Sequence, residues 1–217
     1  MSPRWTGVGA VVFDIDGTLL DSADGIVAGF ACALRSVGVE PPDDATLRSD
    51  LGPPLDLQLA ALGLAPSLVA EAVLAYRAYY QREGRFLAAP YPGIPEVLRT
   101  LGADRPLGTA TAKRTDVARS VLQAHDLDTA FRVINGVEEG RTTKAQTIAH
   151  TLELLGRPQP ARVVMVGDRH SDITGAQACG VPTVGVLWGY GSRAELEAAG
   201  ADLLLDRPEQ LVDLIAG

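Results

Sequence analysis

The chain has 217 residues, and this length allows one large domain or a core domain that carries a smaller insertion. Hydrophobic residues make up 47% of the sequence and charged residues 21%, but no stretch approaches the ~18 consecutive apolar residues of a membrane span. The formal net charge of −8 and the lack of any run of Lys and Arg argue against nucleic acid as a partner, and we expect no membrane partner either.

The start of the chain lacks the basic region, the long apolar stretch and the cleavage site of a secretory signal, which predicts a cytoplasmic protein. The first predicted element is the apolar run GVGAVVF over residues 7–13. A run this rich in Val is typical of a strand that is buried on both faces of a parallel sheet. The predicted strand leads directly into Asp14.

Two carboxylates, Asp14 and Asp16, follow this strand at its carboxyl end. Open α/β sheets bind their ligands at that edge, and Gly17 allows the backbone to turn there. Two acids this close stay ionised in a desolvated site only if a cation compensates them, so the pattern predicts either a bound metal or a shared proton. We favour the metal.

The next part of the chain is all-helical, because its apolar positions recur at helical spacing. One helix is predicted from Ser22 to Gly38, where glycine stops it, and another over residues 67–82. A loop rich in Gly and Pro separates them. We expect the tyrosines of the second helix to pack inside this helical segment; they are Tyr76, Tyr79 and Tyr80.

Apolar runs return after the helical segment and alternate with helical patterns. Strands and helices at this spacing imply right-handed parallel crossovers and predict a doubly wound, Rossmann-like α/β core. We expect the core to comprise residues 1–21 and 90–217, and an inserted all-α cap domain to comprise residues 22–89. After the first strand, the strands of the core are predicted at 106–111, 161–168, 181–187 and 201–206.

Polar side chains also stand at the ends of the later strands. Thr111 ends its predicted strand, and its hydroxyl is suited to donate to a phosphate oxygen. Lys144, at the start of a helix, supplies a cation for the charge shared by Asp14 and a phosphate. Asp168 ends another strand and Asp172 follows it, so that one sheet edge offers the hard oxygen ligands that Mg²⁺ prefers.

The roles of two charged residues close to these positions stay open. Lys113 and Arg114 either steer an anionic substrate or form a solvated pair at the start of a helix. His170 lies between Asp168 and Asp172, and we predict that it is a surface histidine rather than a metal ligand.

Four segments resemble, in their order along the chain, the four motifs of the haloacid dehalogenase superfamily. They are FDIDGTLLDS at 13–22, TATAK at 109–113, Lys144, and VGDRHSD at 166–172. The resemblance spans nearly the whole chain and is to the phosphoglycolate phosphatase-like and 5′-nucleotidase-like members, which carry a helical cap after the first motif. It therefore implies a Rossmann-like core with an inserted helical cap.

The resemblance also implies roles for the acidic residues. Asp14 corresponds to the nucleophile and Asp16 to the general acid and base. Asp14, the backbone carbonyl of Asp16, and Asp168 would hold Mg²⁺, with Asp172 either as an additional ligand or as a residue that supports the ligands from outside the coordination sphere. Dehalogenases of this superfamily lack the second aspartate of the first motif, so Asp16 favours phosphoryl transfer, in which a leaving alkoxide needs a proton.

The function implied by the resemblance is a magnesium-dependent phosphatase that acts on a small phosphorylated metabolite through an aspartyl-phosphate. Two alternatives stay open: a phosphomutase, which returns the phosphoryl group to a sugar, and a metabolite-binding protein without catalysis. The oligomeric state, monomer or homodimer, is also open. In the expected cap, Arg48, Gly52 and Pro53 form either a substrate loop or an ordinary turn.

Overall fold

The structure is a computed structural model that describes residues 5–49 and 51–215. The chain divides into two compact units, one formed by the residues up to Asp21 together with those from Pro90 onward, the other by Ser22–Ala89. Within the described stretches, every helix falls short of the length and apolar character that crossing a lipid bilayer requires.

The strands and helices alternate along most of the chain. The strands are Ala10–Phe13 (β1), Leu20–Asp21 (β2), Ala89–Pro90 (β3), Leu107–Thr109 (β4), Thr111–Arg114 (β5), Gly136–Val137 (β6), Val163–Gly167 (β7), Thr183–Val186 (β8) and Leu203–Leu205 (β9). The helices are Ala23–Ser36 (α1), Asp44–Ser49 (α2), Leu55–Ala61 (α3), Pro66–Arg82 (α4), Ile94–Gly102 (α5), Thr115–Ala124 (α6), Lys144–Leu154 (α7), His170–Ala178 (α8), Arg193–Ala198 (α9) and Gln210–Ile215 (α10).

The first unit is built on a parallel sheet of five strands in the order β4-β1-β7-β8-β9. Each of the five runs predicted as core strands contributes one strand to this sheet, which confirms the doubly wound α/β fold class. The chain moves from β1 to β4 on one side and then to β7 on the other. The winding direction therefore reverses between β1 and β7, and ligands of such sheets bind at the carboxyl ends of the strands that flank this point.

The strands are buried because both faces of the sheet are covered. On one face, Val12 and Met165 pack with Ile148 of α7 and Ala176 of α8 in a cluster of buried residues. Neighbouring side chains of a strand point to opposite faces, and Phe13 accordingly meets the edge of the Phe131 ring, with 6.3 Å between ring centroids. These contacts fix the carboxyl ends of β1 and β7 side by side.

The strand predicted over 106–111 is shorter than expected. The N–H of Ala110 still bonds to the carbonyl of Phe13 in β1, but β5 leaves this ladder and pairs with β6 instead. Thr111 therefore opens a second short strand rather than ending the first, which corrects the prediction for that residue.

The second unit is helical, and α1 and α4 confirm the two predicted helices. Tyr76 packs against Phe30 and stacks on Tyr80, with ring centroids 5.3 Å and 5.8 Å apart. Tyr80 is 2% exposed, so these two tyrosines form part of the core of this unit, as predicted. The short helices α2 and α3 flank the Gly- and Pro-rich loop, and Arg48 at the end of α2 pairs with Asp24.

Candidate active site

Three aspartates meet at the carboxyl ends of β1 and β7. Asp14 follows β1, and its N–H bonds to the carbonyl of Val166 in β7, 2.9 Å away. Asp168 follows β7, and Asp172 lies in the first turn of α8. One carboxylate oxygen from each of the three aspartates lies within 4.8 Å of those of the other two, and all three residues are buried.

Lys144 joins this cluster from α7. Its Nζ lies 3.1 Å from Oδ2 of Asp14 and 2.6 Å from Oδ1 of Asp172, and it donates to the carbonyl of Ala110 at 3.0 Å. A Cβ at residue 175 would lie 2.9 Å from Cγ of Lys144, so Gly175 leaves the space that the lysine chain occupies. The ammonium group is thus fixed between two carboxylates.

The start of α7 is set by its own sequence. The hydroxyl of Thr143 accepts the N–H of Gln146, and the Gln146 side chain accepts the N–H of Thr143, which is a reciprocal capping box. The helix therefore begins at Lys144, whose side chain points toward the sheet edge. The sequence prediction of a helix start at this lysine is confirmed.

The charges of the cluster do not balance. Burial raises the pKa of Asp14 to about 6, with Asp172 and Asp16 adding to the effect and Lys144 opposing it. Burial likewise raises the pKa of Asp168 to about 8, together with the negative charges of Asp172 and Asp14. Burial disfavours the charge of Lys144, but Asp14 and Asp172 outweigh this and raise its pKa. One ammonium is insufficient for three buried carboxylates.

A divalent cation fits this donor set. Among the described residues, the buried Oδ1 of Asp14 has no hydrogen-bond partner, so one oxygen of the cluster is left for another ligand. The available donors of Asp14, Asp168 and Asp172 are all carboxylate oxygens, which suit hard cations such as Mg²⁺. The resemblance assigns only the backbone carbonyl of Asp16 to the metal. The Asp16 side chain contacts Lys113 instead.

Asp168 is oriented by two donors from separate loops. The hydroxyl of Thr18 donates to Oδ1 at 3.1 Å, and the N–H of Tyr190 donates to Oδ2 at 2.8 Å. Gly17 approaches closely as well, since a Cβ there would lie 2.2 Å from Oδ2 of Asp168. Neither Thr18 nor Tyr190 was identified from the sequence, although Thr18 lies inside the first motif.

Asp16 pairs with Lys113, a lysine for which the sequence allows two roles. Nζ of Lys113 lies 2.7 Å from Oδ2 of Asp16, and the two side chains are only 10% and 19% exposed. Lys113 lies two residues after Thr111 in β5, but the predicted strand ends at Thr111, so the sequence did not place Lys113 beside Asp16. Arg114, on the other face, pairs with Asp116 and is exposed.

Two predicted residues lie at the margin of the cluster. Thr111 is buried, and its hydroxyl accepts the N–H of Lys113 at 3.3 Å. It directly follows Ala110, whose carbonyl binds Lys144. The side chain of His170 is 60% exposed, as predicted for a surface histidine, and contacts Glu195.

Comparison with known proteins places these residues in a family. A family model described as haloacid dehalogenase-like hydrolase matches residues 11–186. The tyrosine-protein kinase PtkA of Mycobacterium tuberculosis is 42% identical over 186 residues, which cover 83% of this chain but only 62% of that protein. The chain thus matches less than two thirds of that relative's length.

Two further relatives are similar over nearly their full length. A 5′-nucleotidase of Pseudomonas aeruginosa is 37% identical over 193 residues, covering 87% of this chain and 86% of that protein. A solved haloacid dehalogenase-like family hydrolase from Streptococcus pneumoniae has a TM-score of 0.90 and 31% identity, covering 96% of this chain and 99% of that one.

Proposed function

Because this chain belongs to the haloacid dehalogenase-like hydrolases, we propose that it is a magnesium-dependent phosphatase that hydrolyses small phosphate monoesters through an aspartyl-phosphate on Asp14. Membership of the family confirms the resemblance drawn from the four motifs. The observation that carries the proposal is the position of Lys144, whose ammonium lies between Asp14 and Asp172 at the switch point of the sheet.

In the first step, a carboxylate oxygen of Asp14 attacks phosphorus in line with the leaving oxygen. The bond from phosphorus to the leaving oxygen breaks as the bond to Asp14 forms, and the carboxyl group of Asp16 gives its proton to the leaving alkoxide. Lys144 neutralises charge on the phosphoryl oxygens while this happens, because it already lies 3.1 Å from Asp14.

In the second step, the Asp16 carboxylate takes a proton from water, and the water oxygen attacks phosphorus. The bond between phosphorus and Asp14 breaks, phosphate is released and the Asp14 carboxylate is restored. The Lys113 ammonium, 2.7 Å from Oδ2 of Asp16, positions this acid and base group. The proton that Asp16 takes from water in the second step is the one that it gives to the leaving group in the next cycle.

The metal belongs to the same proposal. Asp14, Asp168, Asp172 and the backbone carbonyl of Asp16 would hold Mg²⁺, in agreement with the unpartnered Oδ1 of Asp14. When bound, the ion supplies positive charge that stabilises the negative phosphoryl oxygens. The chain's own contribution is to hold these ligand groups and the ammonium group of Lys144 at one edge of the sheet.

The substrate is proposed only as a class, namely a small phosphorylated metabolite. The name of the Pseudomonas relative points to nucleoside monophosphates, and the resemblance of the motifs points to phosphoglycolate. The helical unit Ser22–Ala89 would act as the cap that supplies selectivity between such substrates.

A panel of monoesters tests the proposal. We expect purified protein with Mg²⁺ to release inorganic phosphate from p-nitrophenyl phosphate and from at least one metabolite of the panel, and we expect Asp14→Asn to abolish this release. Undiminished release by purified Asp14→Asn would overturn the proposal, because the activity would then not depend on Asp14. Conversion of a hexose 1-phosphate to its 6-phosphate without free phosphate would favour a phosphomutase instead.

A second candidate is phosphoryl transfer to protein tyrosine, because 83% of the chain is aligned at 42% identity with a relative named as a tyrosine kinase. Its test uses ATP labelled at the γ-phosphate together with a tyrosine-containing polypeptide. Stable label on tyrosine, lost in Asp14→Asn, would favour the kinase. Release of labelled phosphate without labelled tyrosine would favour the hydrolase.

A further inference from the structure

A glutamate outside the motifs holds the segment between two of the site's aspartates. Oε1 of Glu195, in α9, accepts Nε–H of Arg169 at 2.9 Å and the backbone N–H of His170 at 2.9 Å. The ring Nδ1 of His170 lies 3.0 Å from the same oxygen. Asp168 and Asp172 lie on either side of this dipeptide.

We propose that Glu195 is a positioning residue for the metal site, which fixes the start of α8 and thereby the geometry of Asp168 and Asp172. The inference rests on the proposed function, because it concerns the Mg²⁺ site of that function. Outer groups that orient metal ligands commonly change metal affinity by about 10- to 100-fold when they are removed.

The connection from Glu195 to Asp172 runs through the backbone of Arg169. The N–H of Arg169 donates to Oδ2 of Asp172 at 3.0 Å, which leaves Oδ1 facing Lys144 at 2.6 Å. Glu195 binds Arg169 and His170 from the other side. A shift of this backbone would rotate the Asp172 carboxylate, and with it the ligand atom directed into the cluster.

The chain just before Glu195 also contacts the metal site directly. The N–H of Tyr190 donates to Asp168. A Cβ at residue 191 would lie 1.8 Å from the carbonyl oxygen of Asp168, so the close approach of the two segments requires glycine at this position. Ser192 then caps α9 by accepting the N–H of Glu195 at 3.1 Å. One continuous segment, 190–195, therefore contacts Asp168, Arg169 and His170 of the 168–172 segment.

Helix α9 offers a matched control. Glu197 lies in the same helix, is 60% exposed and contacts Arg193 of its own helix at 3.7 Å. Replacing it by Gln removes the same charge from the same element without touching Arg169 or His170. Any difference between Glu195→Gln and Glu197→Gln therefore reports the contact with the metal-site segment.

The experiment measures Mg²⁺ binding to wild-type protein, Glu195→Ala, Glu195→Gln and Glu197→Gln by isothermal titration calorimetry, with thermal unfolding as the folding control. We expect the Kd for Mg²⁺ to rise about 10- to 100-fold in Glu195→Ala. The rise should be smaller in Glu195→Gln, because the amide oxygen still accepts N–H groups. Glu197→Gln should have the Kd of wild-type protein. In p-nitrophenyl phosphate hydrolysis, the Glu195 variants should need a higher Mg²⁺ concentration for half-maximal activity. At saturating Mg²⁺ their kcat should equal that of wild-type protein.

Folded Glu195 variants that bind Mg²⁺ with wild-type Kd would overturn the inference while leaving the proposed function intact. Wild-type protein that binds no Mg²⁺ would overturn both. If Glu195→Ala does not fold, the comparison of Glu195→Gln with Glu197→Gln decides, and equal Kd values in that pair contradict the positioning role.

Discussion

Lys113 places its ammonium group 2.7 Å from Oδ2 of Asp16, and both side chains are largely withdrawn from solvent. Asp16 is the residue proposed to move the proton in both steps of the reaction. In the proposed mechanism, the pair therefore fixes where this proton is delivered. An unpaired carboxylate at this position would cost more than the loss of one hydrogen bond.

Replacing Lys113 by Met is expected to lower kcat for p-nitrophenyl phosphate by at least about tenfold, because Asp16 then loses the contact that positions it as general acid and base. Lys113→Arg should retain part of the activity. Arg114→Gln is the control, since Arg114 is exposed and pairs with Asp116 of its own surroundings rather than with Asp16. If Lys113→Met has the same kcat as wild-type protein, the pair has no role in proton transfer.

Without metal, the stability of the chain should fall as the pH rises. The folded pKa values of Asp14, about 6, and Asp168, about 8, lie above the ordinary 3.8, so the folded state binds more protons than the unfolded state between these limits. Their contribution is complete below 3.8 and is lost through about 6 and then about 8. Thermal unfolding in EDTA from pH 6 to 9 measures the part of this loss that belongs to Asp168.

Asp168→Asn is the control for the pH experiment, because the amide does not titrate. In this variant the decrease in Tm between pH 6 and 9 should be smaller than in wild-type protein. A wild-type Tm that rises over this range in EDTA, or a decrease of equal size in Asp168→Asn, would show that the buried carboxylates do not set the dependence.

Magnesium should reverse this loss of stability, since the ion binds the ionised carboxylates of the folded chain. At a concentration of 100 times Kd, a ligand specific for the folded state adds about 2.7 kcal/mol to the free energy of unfolding. We therefore expect Mg²⁺ to raise Tm more at pH 8 than at pH 6, because fewer protons must leave the cluster at the higher pH. Asp168→Asn should show little of this increase.

Gly17→Ala should damage the site more than the fold. Gly17 has a φ of +74°, and a Cβ there would lie 2.2 Å from the Asp168 carboxylate, whereas Gly140 has a φ of +76° with no atom within 4 Å of its Cβ position. Both alanines carry the strain of a left-handed backbone, about 1–2 kcal/mol. Only Gly17→Ala should also lose Mg²⁺ affinity and phosphatase activity. Equal losses in both variants would assign the effect to backbone strain alone.

The sequence was sufficient for the parts of the fold that depend on local patterns. Apolar runs place β1 and β7, and the carboxyl ends of neighbouring parallel strands bring Asp14 and Asp168 to one edge. Thr143 and Gln146 signal the helix start that positions Lys144. In each case, a periodicity or a capping pattern of a few residues contains the information.

The contacts that the sequence did not reveal join segments with no shared pattern. Glu195 reads as an ordinary exposed residue of an amphipathic helix until the approach of α9 to α8 is known. Lys113 was ambiguous because the exchange of strand partners after Ala110, which creates β5, has no local signature. Such contacts depend on strand register and loop geometry, which are set by packing of the whole unit.

The strand order also governs when the molecule becomes competent during synthesis. β1 is synthesised before its partner β7, which lies far downstream in the sequence. Until β7 and α8 have been translated, Asp14 lacks Asp168 and Asp172, the other two carboxylates of the cluster. Parallel pairing over such sequence separation is slow, so β1 stays without this partner in incomplete chains. We expect incomplete chains to aggregate through this apolar segment.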